Sequence, residues 1–510
     1  MSKKTDALLE HIRLGNSLTG SEKLNLIIGL SIPSILAQIT SVLMFFIDAS
    51  MVGSLGAEAS ASIGLVEPAG WLFGSLGGAV ALGFSVQVAH FIGANDFQRA
   101  RQVMKHGYVV CLLFSFVIMA ISGVIAPWLP GWLGGGPDIQ HDATLYFLIF
   151  ACGAPFFYLE SLSSALLKSS GDMKVPGIVL SLNCVLDVLF NFIFIFPSRT
   201  VSILGADFHV FGFGLRVAGA AIGTTLAYII TSLTLIYFTV VKSKILAWKK
   251  DLERFVWNGA YVKEAFKISG PMALQYILMN GAQVVSTMIV APLGNIAIAS
   301  NSFAVTAESL CYMPGYGIGD AATTLIGQSI GAGRRDLCHS FARMTMFLGM
   351  GIMAVMGFVM YVFAPEMIGM LSPVEEIRQL GASVLRIEAF AEPFFAASIV
   401  GYSICVGAGD TFKPALMNLG SMWCVRLTLA YMLAQHYGLR GVWVAMAVEL
   451  TFRGIIFLIR IFRGKWMKTP TRDDKKTKHS SPKTIMSNCR QLTSTALPLM
   501  PAVTTGQKEV

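Results

Sequence analysis

His106 to Pro127 reads HGYVVCLLFSFVIMAISGVIAP, and Met344 to Pro365, 238 positions later, reads MTMFLGMGIMAVMGFVMYVFAP. Neither stretch holds an Asp, Glu, Lys or Arg, and each is as long as the roughly 20 apolar residues that one bilayer crossing needs. Two such stretches at one fixed spacing, both closing on Ala-Pro, predict a membrane protein built from a repeated unit.

The rest of the chain agrees. Of 510 residues 54% are hydrophobic and only 13% charged, which is too apolar for a soluble globular protein. Apolar stretches predict twelve spans, near 24–47, 61–92, 106–127, 142–167, 176–196, 213–240, 265–291, 299–329, 342–364, 380–407, 414–435 and 438–461. The fold class expected is therefore all-α, with twelve transmembrane helices.

The net charge of +9 points to the membrane rather than to nucleic acid, because the 38 Lys and Arg follow the spans. Arg199, Arg216, Arg378 and Arg440 fall on one side, and Arg386, Arg426 and Arg453 inside spans. The others gather in the termini and in the loops at 94–105, 168–175, 241–264, 330–341 and 408–413. By the positive-inside rule both termini are expected in the cytoplasm, consistent with an even number of spans, which puts them on one side. The first 23 residues lack the apolar core of a removable signal peptide. The eight cysteines form no CxxC or Cys/His cluster and predict neither disulfide nor zinc.

The repeat holds one register from the first span to the start of the fifth. Pro33 pairs with Pro271, Leu55-Gly56 with Leu293-Gly294, and Ile92-Gly93-Ala94 with Ile330-Gly331-Ala332. Pro155-Phe156-Phe157 pairs with Pro393-Phe394-Phe395, Gly171-Asp172 with Gly409-Asp410, and Pro176 with Pro414. The Gly-Leu-Arg at Gly214 recurs at Gly438 with the spacing shortened to 224, so the loop before the last span of each half differs in length. Six spans per copy make the repeats parallel, related by an axis along the membrane normal. The expected organisation is a 1–23 cytoplasmic segment, a first lobe at 24–240, a basic linker at 241–264, a second lobe at 265–461 and a disordered basic tail at 462–510. Glycine and proline crowd the second span at Pro68, Gly70, Gly74, Gly77, Gly78 and Gly83, where they permit close helix packing or a hinge.

No phosphate loop, HExxH, GxSxG or GxGxxG signature is present, so neither ATP nor hydrolytic chemistry is indicated, and no cofactor is expected. What remains is a set of acids at membrane depth, where an ionisable group is costly enough to make function the default hypothesis. They are Asp48, Glu67, Glu160 and Asp187 in the first half and Glu308, Asp320, Glu392 and Glu449 in the second, with Arg426 as a possible partner. Asp48 pairs with Ser286 and Asp187 with Val425 across the repeat, so these two carboxylates belong to one lobe only. Asn183 and Asp187, four residues apart, share a helix face and offer an amide oxygen and a carboxylate to one point, a donor set for a cation.

Asp48 with Met51-Val52-Gly53 and Leu55-Gly56, the Ile92-Gly93-Ala94 loop, Gly171-Asp172 before Pro176, and Gly219-Ala220-Ala221 resemble the multidrug and toxic compound extrusion (MATE) transporters over about residues 24–461. That resemblance implies an outward-facing, V-shaped pair of six-helix lobes that exchanges H+ or Na+ for organic cations. It also implies a monomer in the cytoplasmic (inner) membrane whose partners are lipid and small organic cations, with no enzyme activity. It assigns the coupling cation, H+ or Na+, to Asp48, Asn183 and Asp187, with Thr224 beside them. Other branches of the family carry coupling acids in the seventh and tenth spans, where this chain has Met279 and Phe395, which argues against coupling of that kind in the second lobe. Glu308, Asp320 and Glu392 lie near enough to keep that question open, and they are expected to line the substrate cavity. Flipping of lipid-linked saccharides, a task of transporters with similar architecture, is the alternative. Such flippases carry basic residues in the cavity, whereas acids prevail here.

Overall fold

The computed structural model describes residues 3–203, 206–250, 255–372 and 374–467. Of the predicted disordered tail, 462–510, the part from Lys468 onward lies outside these residues, as does Cys489. Its start is ordered: Phe462 closes the last helix and Trp466 is buried, donating to the Ile461 carbonyl.

A short amphipathic helix, Lys3–Leu14, precedes the first span, Gly20–Gly53. A reciprocal capping box opens that span: the Thr19 hydroxyl accepts from the Glu22 amide at 3.3 Å, and Glu22 Oε2 accepts from the Thr19 amide at 2.8 Å. The second and third spans are Ala57–Gly93 and Phe97–Ile125. The fourth is a bent pair, Pro137–Cys152 and Ala154–Ser169, and the fifth and sixth are Lys174–Ile195 and Arg216–Tyr237. In the second half the seventh to ninth are Gly259–Val290, Asn295–Gly331 and Arg335–Gly369. The tenth is again bent, Glu375–Ala389 and Glu392–Gly407. The bends, 47° and 60°, fall at matching places, and Pro155 and Pro393 of the repeated Pro-Phe-Phe open the second segment of each.

Among the described residues eight helices qualify as spans by length and apolarity, or ten with each bent pair taken as one. Twelve follow from two further observations. Phe412–Phe462 passes as a single stretch of 51 residues, which at about 1.5 Å per residue would be more than twice a hydrocarbon core. It turns back at Gly438, whose φ of 59° is non-helical, and Ser421 donates to Glu449 Oε1 at 2.6 Å across the two arms. The count is completed by the eighth span, Asn295–Gly331, long enough at 37 residues and made less apolar by Glu308 and Asp320.

The unequal loop has a physical form. Pro197–Ile203 and Ala206–Phe213 make an antiparallel hairpin before the sixth span, whereas the second half passes from its eleventh to its twelfth span through the turn at Gly438 alone. Among the described residues this hairpin is the one departure from the all-α expectation. Gly214 and Gly438, the repeated Gly-Leu-Arg glycines, both take positive φ, 67° and 59°, which a side chain would strain.

The lobes meet through the first and eighth, second and seventh, and second and eighth spans. Their side-chain bonds gather at the end that carries the N-terminal helix and the linker, giving a V joined at that end. Ser34 and Lys168 of the first lobe reach Asp320 of the second, His90 reaches the Gly407 carbonyl, and Thr324 and Gln328 reach the Lys168 and Ser169 carbonyls.

Candidate cation and cargo sites

The first, fifth and sixth spans bring four polar side chains together inside the first lobe. Asn191 Nδ2 donates to Asp48 Oδ1 at 3.0 Å and to Asp187 Oδ2 at 3.1 Å, so one amide bridges both carboxylates. Asp187 and Asn191 are buried, and Asp48 is half-buried. Thr224 of the sixth span lies within hydrogen-bonding reach of Asp187. The fifth and sixth spans approach this closely because Gly219 and Gly223 carry no side chain: a Cβ at Gly223 would stand 2.3 Å from Asn191 Oδ1. Asp187 Oδ1 and Asn191 Oδ1 are buried without a hydrogen-bond partner, a donor-poor pair of oxygens that a cation or a proton would satisfy.

Asp48, Asn191 and Thr224 line a cavity of about 450 Å³ with Glu67, Tyr146 and Tyr228, while Asp187 sits behind them. Glu67 accepts from Trp71 Nε1 at 3.3 Å in its wall.

Asn183, expected in this site, is not brought to it. It lies one turn before Asp187 on the same stripe, its buried Oδ1 has no partner, and it lines a second cavity of about 390 Å³. Asn191, one turn after Asp187, makes the contacts instead. The stripe Asn183, Asp187, Asn191 at steps of four residues carried that signal, since either amide shares a face with the acid.

The second cavity draws on both lobes. Glu160, Lys168 and Asn183 come from the first and Tyr276, Asp320 and Thr324 from the second. Asp320 is thus placed in a cavity as expected, but already paired: Lys168 Nζ stands 2.7 Å and the Ser34 hydroxyl 2.5 Å from its Oδ2.

Glu308 and Glu392 line neither cavity. They lie inside the second lobe beside Glu388, which sequence reasoning passed over, with Arg426 nearby. Both oxygens of Glu388 and of Glu392 are buried without partners. Glu449 is held by Arg453, 3.1 Å away, and by Ser421, a structural arrangement. Among the described residues no group of His, Cys, Asp and Glu is arranged to hold a metal ion, and the seven described cysteines are free.

Comparison with known proteins fits this architecture. The MatE family model matches residues 33–193 and again 271–432, the two copies of the repeat. The chain is 24% identical over 448 residues to "Probable multidrug resistance protein NorM" of Thermotoga maritima, covering 87% of this chain and 93% of that protein. It is 25% identical over 396 residues to "Uncharacterized transporter YisQ" of Bacillus subtilis, covering 76% and 83%. Among solved structures, the outward-facing conformation of a multidrug resistance MATE family transporter superposes with a TM-score of 0.80 at 22% identity, covering 92% of this chain and all of that one. With a twelve-span duplicated fold matched twice by one family model, the chain belongs to the MatE family of membrane transporters.

Proposed function

We propose that the protein is a secondary multidrug exporter that exchanges H+ or Na+ for small organic cations. The observation that carries this reading is the Asn191 bridge between Asp48 and Asp187 at the wall of a 450 Å³ cavity. Two carboxylates sharing one amide in a low-dielectric lobe cannot both stay charged at low cost, and one bound proton or sodium ion relieves them. Such a ligand drives transport only by favouring one lobe arrangement over another. A site opening on a cavity at one face and touching the packed sixth span at the other has the means to do so.

The end that carries the N-terminal helix and linker is the cytoplasmic end, on the distribution of Lys and Arg. Contacts across the lobes there then correspond to an outward-facing form. Cationic cargo is favoured by the cavity chemistry: the larger cavity has Asp48 and Glu67 and no Lys or Arg in its wall. Lipid-linked saccharides, whose phosphates need cationic partners, fit that wall poorly.

Proteoliposomes loaded with a fluorescent organic cation and given a proton gradient, a sodium gradient or neither test the reading. Gradient-driven movement that Asp187→Asn abolishes is expected. Equal movement with and without either gradient would overturn it.

A further inference from the structure

Asp320 stands where the coupling chemistry has no use for it, on the eighth span in the wall of the cavity shared by the lobes. Its partner, Lys168, closes the fourth span in the other lobe, 152 positions away. The side chains keep 30% and 18% of their surface exposed, so both face the cavity rather than the packed interface. The pair can exist only while the lobes touch at this end. When they part, Lys168 leaves with the first lobe and Asp320 remains on the second as a carboxylate lining an open vestibule.

Resting on the reading of the cargo as cationic, we propose that Asp320 is the cargo-cation acceptor of the cytoplasm-open form and that Lys168 is a built-in competitor which displaces the cargo as the lobes close. A tethered ammonium arrives at high effective concentration and needs no intrinsic affinity advantage to replace a freely diffusing cation. The Ser34 hydroxyl, buried on the first span, joins it on the same Oδ2 and leaves the cargo fewer positions on that oxygen. Linkage makes the effect reciprocal: closure weakens cation binding, and a bound cation opposes closure. Thr324 donating to the Lys168 carbonyl at 3.0 Å, and Gln328 to the Ser169 carbonyl at 2.9 Å, hold the backbone that delivers the ammonium. Cargo without a positive charge does not contend for Asp320, and its release does not depend on Lys168.

The test is equilibrium binding and transport by the full-length protein of ethidium, and of a neutral dye of similar size. Lys168→Gln is expected to tighten ethidium binding by roughly fivefold, the scale of one partly exposed ion pair, and to slow ethidium turnover while sparing the neutral dye. Asp320→Asn is expected to weaken ethidium binding selectively, and the double variant to match it. Equal effects on both dyes, or weaker ethidium binding by Lys168→Gln, would mean that the pair is only a structural clasp. If the single variants do not fold, amine acylation of Lys168 in the parent protein decides. Saturating ethidium should speed it severalfold and the neutral dye should not; an unchanged rate overturns the competitor role. Failure of the parent to move ethidium at all would instead overturn the cationic-cargo reading.

Discussion

His90 and Gln328, at equivalent positions of the two repeats, make the same bond in opposite directions across the lobe interface. His90 Nε2 lies 2.8 Å from the Gly407 carbonyl, and Gln328 Nε2 donates to the Ser169 carbonyl at 2.9 Å. Gly407 and Ser169 are themselves equivalent, so the joined end of the V has a local two-fold. The glycines of the repeated Ile-Gly-Ala complete it. A Cβ at Gly93 would stand 2.0 Å from the Gln328 carbonyl oxygen, and one at Gly331 would stand 1.9 Å from that of His90.

Gly93→Ala and Gly331→Ala should therefore keep the lobes from meeting. Backbone carbonyls in packed helices cannot yield, and overpacking costs about 1–3 kcal/mol. Each lobe remains intact, so membrane insertion should persist while gradient-driven export falls severalfold. Cysteine accessibility at this end should rise. Full export by both variants would show that the interface tolerates the extra methyl groups and that the lobes meet elsewhere.

His90→Gln should be nearly silent, because glutamine makes this bond at the equivalent position. His90→Ala loses a part-buried hydrogen bond worth about 1 kcal/mol. Thermal melting of the purified variants separates the two, and equal melting points for all three proteins would deprive the bond of its role.

The fold was legible because its signals are local and repeated. The uncharged run from His106 to Pro127 needs no tertiary context, and the Pro-Phe-Phe and Gly-Leu-Arg repeats mark breaks that the backbone takes in both halves. The site was half legible. Asp48 and Asp187 stood out as acids present in one copy only, but which asparagine joins them depends on how the fifth helix is rotated against the first, and sequence spacing allows Asn183 and Asn191 equally. The Lys168 to Asp320 pair was invisible, since its partners lie in different lobes and share no motif. Glu388 escaped for another reason: it lies in the first segment of the bent tenth span, just before the break that precedes Glu392.

The 241–264 linker should be cytoplasmic. A cysteine introduced at Ser243 of a cysteine-free background should resist impermeant thiol reagents in intact cells and react after permeabilisation. Fast labelling from outside would invert the topology and with it the direction of transport.

Glu308→Gln and Glu392→Gln should leave the preference for cationic over neutral cargo unchanged, because neither side chain lines a cavity. Glu449→Gln is different in kind. It strands the buried Arg453, and breaking a buried ion pair costs about 3–5 kcal/mol, so less protein should reach the membrane while each folded molecule still exports. A changed cation preference in either of the first two would place those acids on the cargo path.

Asp187→Asn and Asp48→Asn should both fold, reach the membrane and bind cargo, yet lose gradient-driven export. Asparagine keeps the size and one acceptor oxygen of each acid but carries no charge, so it takes up no proton and holds a sodium ion far more weakly. Asn191→Ala removes the donor common to both acids and should impair coupling nearly as much, by tenfold or more if the bridge contributes about 1.4 kcal/mol to the coupled state. Asn183→Ala touches none of these groups and should retain most of the activity, the reverse of what its spacing to Asp187 alone predicts. Counterflow without a gradient controls for cargo binding and should survive in all four. If Asn183→Ala stops export and Asn191→Ala does not, the fifth helix is turned the other way in the working cycle, and the amide that serves the cation is the earlier one.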